Sequence, residues 1–374
     1  MMALNEKMNV GIVGVVRRGG SFKRAFGNIP EARIHAVCDI NEEGLTEAME
    51  ESGASEKYTL YDEMLEKSDI DIAVIGTPMQ FHVDQAVKAL EKNIHVLSEV
   101  TAGVSIEECR RLTAAVKSSK ATYMMAENYI YMKPNMIVRE LVDRGLFGEV
   151  YYAEGEYIHE LKELNEKTPW RRKWHTGVNG ITYPTHSLGP VLTWMSDDRV
   201  KKICCAGSGR RYKDPRGDYY EQEASTVMLC KTEKDRLIKI RLDMLSDRPH
   251  ACTNYSLQGT RGCYESARSK GTGDRNKIWL DSLGLEKDTW MYLEDLDPEL
   301  LPTEWQDEEK IKSLGGHGGG DYLEIVDFIE SIIQGKPAPV DIHRALDMTL
   351  PGLISQESIT RGGEWMEVPN SRDW

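Results

Sequence analysis

Gly14 and Gly19 punctuate the loop Gly11-Ile-Val-Gly14-Val15-Val16-Arg17-Arg18-Gly19-Gly20, directly after the apolar run Met8–Gly14. A glycine turn between a strand and a helix can present backbone N–H groups and a helix N-terminus to a pyrophosphate. Aligned on Gly14 and Gly19, the G-x-G-x-x-G pattern has Val16 at its middle position, where glycine normally lets the backbone approach phosphate. The loop alone is therefore a weak signal, whose alternative reading is a tight strand-to-helix turn with no ligand. Asp39 follows Gly14 by 25 residues and ends a second apolar run. That is close to the spacing of about 20 expected of a carboxylate that binds a ribose 2′-hydroxyl. A carboxylate there favours NAD over NADP, because it repels a 2′-phosphate. Thr77-Pro78, Glu99 and Glu127 close three further apolar runs. Ligands of open parallel sheets bind outside such strand ends.

The elements that must position these residues alternate. Met8–Gly14, Arg33–Asp39, Asp71–Gly76, Ile94–Ser98 and Thr122–Ala126 read as strands, and Ser21–Gly27, Glu42–Glu51, Phe81–Glu91 and Ile106–Lys117 read as helices. This alternation is the signature of βαβ units and a parallel sheet covered on both faces. The expectation is an α/β Rossmann domain, a doubly wound parallel sheet, over residues 1–128. From 129 to 374 the pattern changes. Glu149–Tyr157, Lys201–Cys205, Ala224–Cys230, Leu237–Asp243, Asn254–Gln258 and Gly262–Ser266 read as strands between turn-rich stretches. That predicts an α+β domain with an open, mostly antiparallel sheet. Tyr322–Gln334 and Ile342–Arg361 read as closing helices, with Pro351 expected to kink or interrupt the second. Gly315–Gly320 reads as a flexible loop, and Asp321 as an N-cap.

Composition bounds the function. The chain has 374 residues, enough for two domains, with 40% hydrophobic and 29% charged residues. Lys+Arg total 47 and Asp+Glu total 61, a net charge of −14, which disfavours nucleic acid and anionic membrane surfaces as partners. No apolar run reaches the ~18 residues of a membrane span, and the N-terminus does not read as a signal peptide. Seven cysteines, an odd number with no C-x-x-C, point to reduced, mostly buried thiols in the cytoplasm, and no Cys/His group has zinc-ligand spacing, so no metal is expected.

The chain resembles the glucose–fructose oxidoreductase/inositol dehydrogenase/MocA family over nearly its whole length. The family's T-P-x-x-x-H stands as Thr77-Pro78-Met79-Gln80-Phe81-His82. Its E-K-P, with a catalytic lysine in the dehydrogenases, stands as Glu99-Val100-Thr101, without the lysine. Its D-x-x-x-H region stands as Tyr183-Pro184-Thr185-His186, with Tyr in place of the Asp. These departures resemble the branch of NAD-dependent glycoside hydrolases typified by bacterial α-N-acetylgalactosaminidases. That branch carries W-R, then N-G-x-x-Y-P-T-H-x-x-G-P-V, then G-H-G-G-x-D. Here these are Trp170-Arg171, Asn179-Gly180 through Val191, and Gly316-His317-Gly318-Gly319-Gly320-Asp321.

The resemblance implies NAD, tightly bound and recycled, held by Gly14, Val15, Arg18, Gly19, Asp39, Thr77, His82, Glu99, Trp170 and Arg171. It implies a small glycoside substrate oxidised transiently at carbon 3, eliminated at carbon 1, hydrated and reduced again. Such chemistry needs a proton acceptor at the oxidised hydroxyl, a base for the carbon 2 proton and donors for an enolate. The resemblance assigns acid–base work to Tyr183 and His186, with Glu127 as a supporting carboxylate. The two rings share a face if Pro184 occupies the first helical turn. His250, His317, Arg172 and Trp174 are candidate substrate contacts; the basic-aromatic run Trp170–His175 would stack a pyranose or bind an anionic substituent, or else is a solvated loop. A homo-dimer or tetramer is expected from the open sheet. The alternatives are a conventional NAD(P)-dependent sugar or cyclitol dehydrogenase, with Tyr183 and His186 in place of lysine, and a non-catalytic Rossmann protein whose fingerprint Val16 spoils.

Overall fold

The computed structural model describes residues 7–196, 198–249, 252–269, 271–286 and 288–374. In chain order, β1 (Met8–Val13), α1 (Phe22–Phe26), β2 (Ala32–Cys38), α2 (Glu42–Ser52), β3 (Glu56–Tyr58), α3 (Tyr61–Lys67), β4 (Ile72–Ile75), α4 (His82–Glu91), β5 (His95–Glu99), α5 (Ile106–Ser118) and β6 (Tyr123–Ala126) build the first sheet and its cover. The six strands run in the order β3-β2-β1-β4-β5-β6, all parallel. This is the doubly wound order of a dinucleotide fold. β1, β4 and β6 are buried at every position, which is why their sequences are apolar without alternation. β3, Glu-Lys-Tyr, is a polar edge strand that hydrophobic patterning does not mark.

The second sheet follows α6 (Lys133–Asp143). It comprises β7 (Val150–Ile158), β8 (Val200–Gly207), β9 (Thr226–Thr232), β10 (Leu237–Asp243), β11 (Cys252–Gly259), β12 (Gly262–Glu265), β13 (Lys277–Leu280), β14 (Met291–Tyr292) and β15 (Met366–Glu367). Their order is β14-β13-β12-β11-β7-β10-β9-β8-β15, antiparallel except for the β7–β10 pair. Between β7 and β8 lie α7 (Lys162–Lys167), α8 (Pro169–Trp174) and α9 (Thr185–Trp194); α10 (Glu308–Leu314), α11 (Gly320–Gln334) and α12 (Ile342–Thr360) come after β14. α9 is anchored from two sides: the Trp194 indole N–H donates to the Asn135 carbonyl of α6 (3.0 Å), and Tyr255 Oη on β11 donates to the His186 carbonyl.

The chain divides into two compact units, each discontinuous in sequence. One runs to Met132 and takes in Asp307–Leu346 and Ser371–Trp374; the other is Lys133–Gln306 with Asp347–Asn370. The late return has local causes: α11 packs against α1 and against the turn Asn128–Tyr131, and the Met125 N–H of edge strand β6 donates to the Val340 carbonyl (3.0 Å).

Three local expectations are corrected. Asp321 is not the N-cap of α11. Gly319 caps it with a φ of 102°, and the Asp321 side chain turns inward to pair with other residues. Gly315–Gly320 is not an open loop but folds into a short helical turn whose backbone at Gly319 packs against Ile311, with no room for a Cβ. Pro351 does not interrupt α12, which is one helix through Thr360. The residue after it, Gly352, explains the sequence there: a Cβ would meet the Ile181 carbonyl oxygen and Pro184 Cγ, both at 2.6 Å. Ser355 Oγ accepts from the Ile181 N–H (2.8 Å), so this stretch of helix clamps the segment that carries Tyr183. Of the seven free cysteines, Cys38, Cys109, Cys205 and Cys230 are buried. Among the described residues no helix is long and apolar enough to cross a membrane.

Candidate active site

Two sets of residues carry chemistry, one in each unit. In the first unit, three glycines bring backbone segments together. A Cβ on Gly14 (φ 78°) would lie 2.6 Å from the Gly76 carbonyl oxygen, one on Gly19 2.7 Å from the Gly14 carbonyl oxygen, and one on Gly76 2.4 Å from Gly19 Cα. Any side chain there would separate β1 from the end of β4. Val15 is buried behind this turn. Val16, the departure from the fingerprint, takes its space from α2: its methyl groups lie where a Cβ of Gly44 would be, 2.6 Å from the nearer. Its N–H donates to Asp39 Oδ2 (3.0 Å), and Asn41 N–H donates to Asp39 Oδ1 (3.0 Å), which fixes the strand-end carboxylate against the loop.

Arg18 is the hub of a charged cluster. Its Nε lies 2.5 Å from Glu99 Oε1 and its Nη1 3.4 Å from Asp321 Oδ2. Burial opposes the Arg18 charge, but Glu99, Asp321 and Glu324 outweigh it and hold the guanidinium protonated above its ordinary range. Burial likewise opposes ionisation of Asp321, yet the His317 hydrogen bond and Arg18 bring it down to about 2. His317 Nδ1 lies 2.9 Å from Asp321 Oδ1, and Asn128 Nδ2 donates to the same oxygen (2.8 Å). One turn along α11, Glu324 is fully buried with no hydrogen-bond partner for either oxygen among the described residues. Burial first, then Asp321 and Glu99, push its carboxyl well above the ordinary value. Glu127 is buried at the end of β6, where Oε1 accepts from the Tyr129 N–H (3.2 Å). Thr77 Oγ1 donates to Gln85 (2.6 Å). His82 is buried between loops, Nε2 at 2.8 Å from the Thr77 carbonyl and Nδ1 at 3.0 Å from the Thr101 carbonyl. Burial lowers its pKa against the raising effect of the two carbonyls, and the ring lies between the loops that follow β4 and β5.

These residues fit a dinucleotide. The glycine triad gives the close backbone approach that a pyrophosphate needs, Asp39 ends β2 where a ribose carboxylate belongs, and the buried Asn128 Oδ1 has no partner among the described residues.

In the second unit, helix packing builds a cluster of rings. Gly155 on β7 faces α9 so closely that a Cβ would lie 2.0 Å from the Ser187 carbonyl oxygen. With Pro184 as the α9 N-cap, Tyr183 and His186 lie edge to face at 4.9 Å between centroids, the shared face expected of the pair. Tyr157, two residues beyond Gly155 and so on the same sheet face, packs against Tyr183 (5.4 Å) and His186 (5.5 Å). Tyr157 Oη lies 2.7 Å from His159 Nδ1. His175 packs between Tyr183 (4.9 Å) and Trp170 (5.1 Å). Burial, then the Arg171 charge, lowers His175 to about 3, and neither ring nitrogen has a hydrogen-bond partner among the described residues. Both effects disfavour the charged ring.

The remaining sequence candidates fall differently. Arg171 stacks on Trp170 (4.3 Å) and its Nη1 donates to Thr168 Oγ1 (3.1 Å). Arg172 is salt-bridged to Asp214 and lies over Tyr220, so its charge already has a partner. Trp174 carries Lys173 over its ring. His250 lies outside the described residues. Sequence reasoning missed Asp321 and Glu324 as members of the charged cluster, and Tyr157, His159 and His175 as members of the ring cluster. The i, i+2 spacing of Tyr157 and His159 on a strand was an available signal.

Residues 131–372 match the glycosyl hydrolase 109 C-terminal domain, and residues 8–127 match the oxidoreductase family NAD-binding Rossmann fold. The chain belongs to glycosyl hydrolase family 109. A glycosyl hydrolase family 109 protein of Saccharopolyspora erythraea is 30% identical over 98% of this chain and 83% of its own length. An alpha-N-acetylgalactosaminidase of Shewanella oneidensis is 29% identical over 98% of this chain and 85% of its own. Among solved structures, levoglucosan dehydrogenase in complex with NADH and L-sorbose superposes with a TM-score of 0.79 at 17% identity, covering 98% of this chain and all of that one. Apo scyllo-inositol dehydrogenase from Lactobacillus casei gives 0.72, also at 17% identity, with 97% and 98% covered. The family 109 chain is thus an enzyme with an NAD-binding Rossmann domain, and its fold is that of sugar and cyclitol oxidoreductases.

Proposed function

We propose that this family 109 chain is an NAD-dependent glycoside hydrolase that cleaves a small glycoside by transient oxidation at carbon 3, elimination, water addition and re-reduction. The observation that carries it is the ring cluster. A tyrosine and a histidine stand 4.9 Å apart on the α9 N-terminus, while position 100, after Glu99, is valine and offers no amine. Bound NAD, resident and recycled, supplies the oxidation of carbon 3 and its reversal within one turnover. Gly14, Val15, Arg18, Gly19, Asp39, Thr77 and Glu99 hold it, with Asp321 and Asn128 fixing Arg18 from behind and His82 bracing the loops.

His186 takes the proton of the carbon 3 hydroxyl and returns it at the end of the cycle; a histidine does this near neutrality. Tyr183 takes the carbon 2 proton, which the adjacent ketone makes acidic. Glu127 supports these transfers as a buried carboxylate, and His317 and Trp170 are proposed ligand contacts. The neutral His175 ring holds Tyr183 in place without adding charge. The name carried by the Shewanella oneidensis relative makes 4-nitrophenyl α-N-acetylgalactosaminide the first probe.

Purified protein is expected to carry NAD, to cleave the probe without added cofactor, and in deuterated water to place deuterium at carbon 2 of the released sugar. Tyr183→Phe and His186→Gln are each expected to lower kcat by about 10²–10⁴-fold. A need for stoichiometric external NAD, with NADH accumulating from free sugar, would overturn the proposal in favour of a conventional dehydrogenase.

A further inference from the structure

Helix α8 has two sides. Its turn continues past Trp174, since the His175 and Thr176 N–H groups both donate to the Arg171 carbonyl (2.8 and 3.2 Å). At about 3.6 residues per turn, positions 169, 172, 173 and 176 share one side. Trp170, Arg171 and His175 fall on the other, where His175 meets Tyr183. The first side takes no part in the ring cluster and faces a cavity of about 610 Å³, whose opposite wall is the loop from Asp218 to Glu221. Small-molecule sites have volumes of about 300–1,000 Å³.

The walls are pinned. Asp214, its side chain fully buried, accepts from the N–H groups of Arg216 (2.8 Å) and Asp218 (3.1 Å) and pairs with Arg172 on α8. Arg216 Nη1 and Nη2 each lie 2.9 Å from an oxygen of Glu166 on α7. The Gln222 N–H donates to the Thr176 carbonyl (3.1 Å). The loop is thus fastened to both helices before a ligand arrives, which leaves little ordering for the ligand to impose.

The lining indicates what fits. It holds two cations, Arg172 and Lys173, and two carboxylates, Asp218 and Glu221. Arg172 is paired with Asp214, and Glu221 Oε2 with Arg210 Nη2 (2.5 Å). Neither sign of charge prevails, so the cavity does not select an ion. It sets N–H donors beside carboxylate acceptors, which suits hydroxyl groups that both donate and accept. Arg172 Nη1, in this wall, has no hydrogen-bond partner among the described residues, a donor that the protein itself leaves unanswered. Tyr219 adds an apolar surface: Lys213 lies over one face of its ring (4.8 Å), yet the residue remains 54% exposed. An aromatic ring with free surface can stack on the C–H face of a pyranose.

We propose that this cavity is a second carbohydrate subsite, holding a neutral pyranose on the side of α8 remote from Tyr183. Tyr219 is its stacking platform, and Lys173 and Asp218 bond to the sugar hydroxyls. With side chains α8 is about 10–12 Å across, so the subsite is separate from the place of the reacting sugar. The assignment concerns binding and does not depend on the hydrolytic route.

The test is fluorine NMR of protein carrying 3-fluorotyrosine, titrated with methyl β-galactoside, methyl β-glucoside and methyl β-N-acetylgalactosaminide. The Tyr219 resonance is the one missing from Tyr219→Phe. At least one glycoside is expected to shift it saturably below about 50 mM. Lys173→Met should weaken that binding about tenfold, by removing a charged donor. Raising salt from about 50 to about 500 mM should change the affinity less than about twofold, because the ligand is neutral. Galactose 6-sulfate should bind no more tightly than methyl β-galactoside. A response confined to the resonance missing from Tyr183→Phe would place the sugar at the reacting site alone and overturn the assignment. So would no shift of Tyr219 with any of the three, an unchanged affinity in Lys173→Met, a larger salt effect, or tighter binding of the sulfated sugar.

Discussion

At the scale of single residues, the first unit shows how one cation organises a group of carboxyls. Arg18 pairs with Glu99 and Asp321, and Glu324, with neither oxygen paired among the described residues, is the carboxyl that keeps its proton. Below the ordinary carboxylate value of 4.5 both folded and unfolded chains bind this proton, and Glu324 does not disfavour folding. Above it the unfolded chain releases the proton while the folded chain retains it, so stability falls as pH rises towards the raised folded pKa. Glu324→Gln removes that dependence. Its melting temperature is expected to gain on wild type progressively from pH 5 to pH 8, read by calorimetry in matched ionic strength; a gap that stays constant or narrows contradicts a protonated Glu324. Such a residue is hard to see in a sequence. Glu324 stands among the polar positions of an amphipathic helix, and its burial comes with the packing of that helix against α1 and the turn Asn128–Tyr131. Asp39 and Glu99 were legible because they end apolar strands, where a parallel sheet binds ligands. Asp321 was misjudged because an Asp just after glycines and before a helix has the local pattern of a cap.

At the scale of elements, β7 and α9 are a fitted pair, and Gly155 is the point of contact. Gly155→Ala inserts a methyl group 2.0 Å from the Ser187 carbonyl oxygen. The helix must rise or tilt, at a cost of about 1–3 kcal/mol. Chemical denaturation should show that loss together with a fall in kcat, since Tyr183 and His186 ride on the displaced end; an unchanged midpoint would mean that the helix is not seated as described. The strand itself was legible from alternation, as were its partners β10 and β11. The parallel β7–β10 pairing was not, because hydrophobic period reports which face is buried and not which strand lies alongside. Pro351 shows a local rule overridden. Alone it predicts a kink, but Gly352 lets the Ile181–Pro184 segment pack directly on α12, and Ser355 bonds to it, so tertiary contact holds the helix through.

For the molecule as a whole, family membership and the 3-2-1-4-5-6 strand order agree on a dinucleotide-binding enzyme. NAD that binds only the folded chain must stabilise it. At a free concentration 100-fold above Kd the gain is about 2.7 kcal/mol, and removing bound cofactor by dialysis under mild denaturant should lower the melting temperature correspondingly. No difference between loaded and stripped protein would contradict a folded site for it. The fold class could be read from the chain because helices and strands alternate in one part and strands cluster in the other. Each compact unit is discontinuous, since α10 and α11 rejoin the first unit between β14 and β15 of the second.

That rejoining matters for biosynthesis. Asp321 follows Arg18 by 303 residues, so a nascent polypeptide has emitted the second sheet, all but its short last strand β15, before the partner that steadies its glycine turn leaves the ribosome. A copy terminated before residue 321 would keep the turn without that ion pair, and is expected to hold the dinucleotide less firmly than the finished chain.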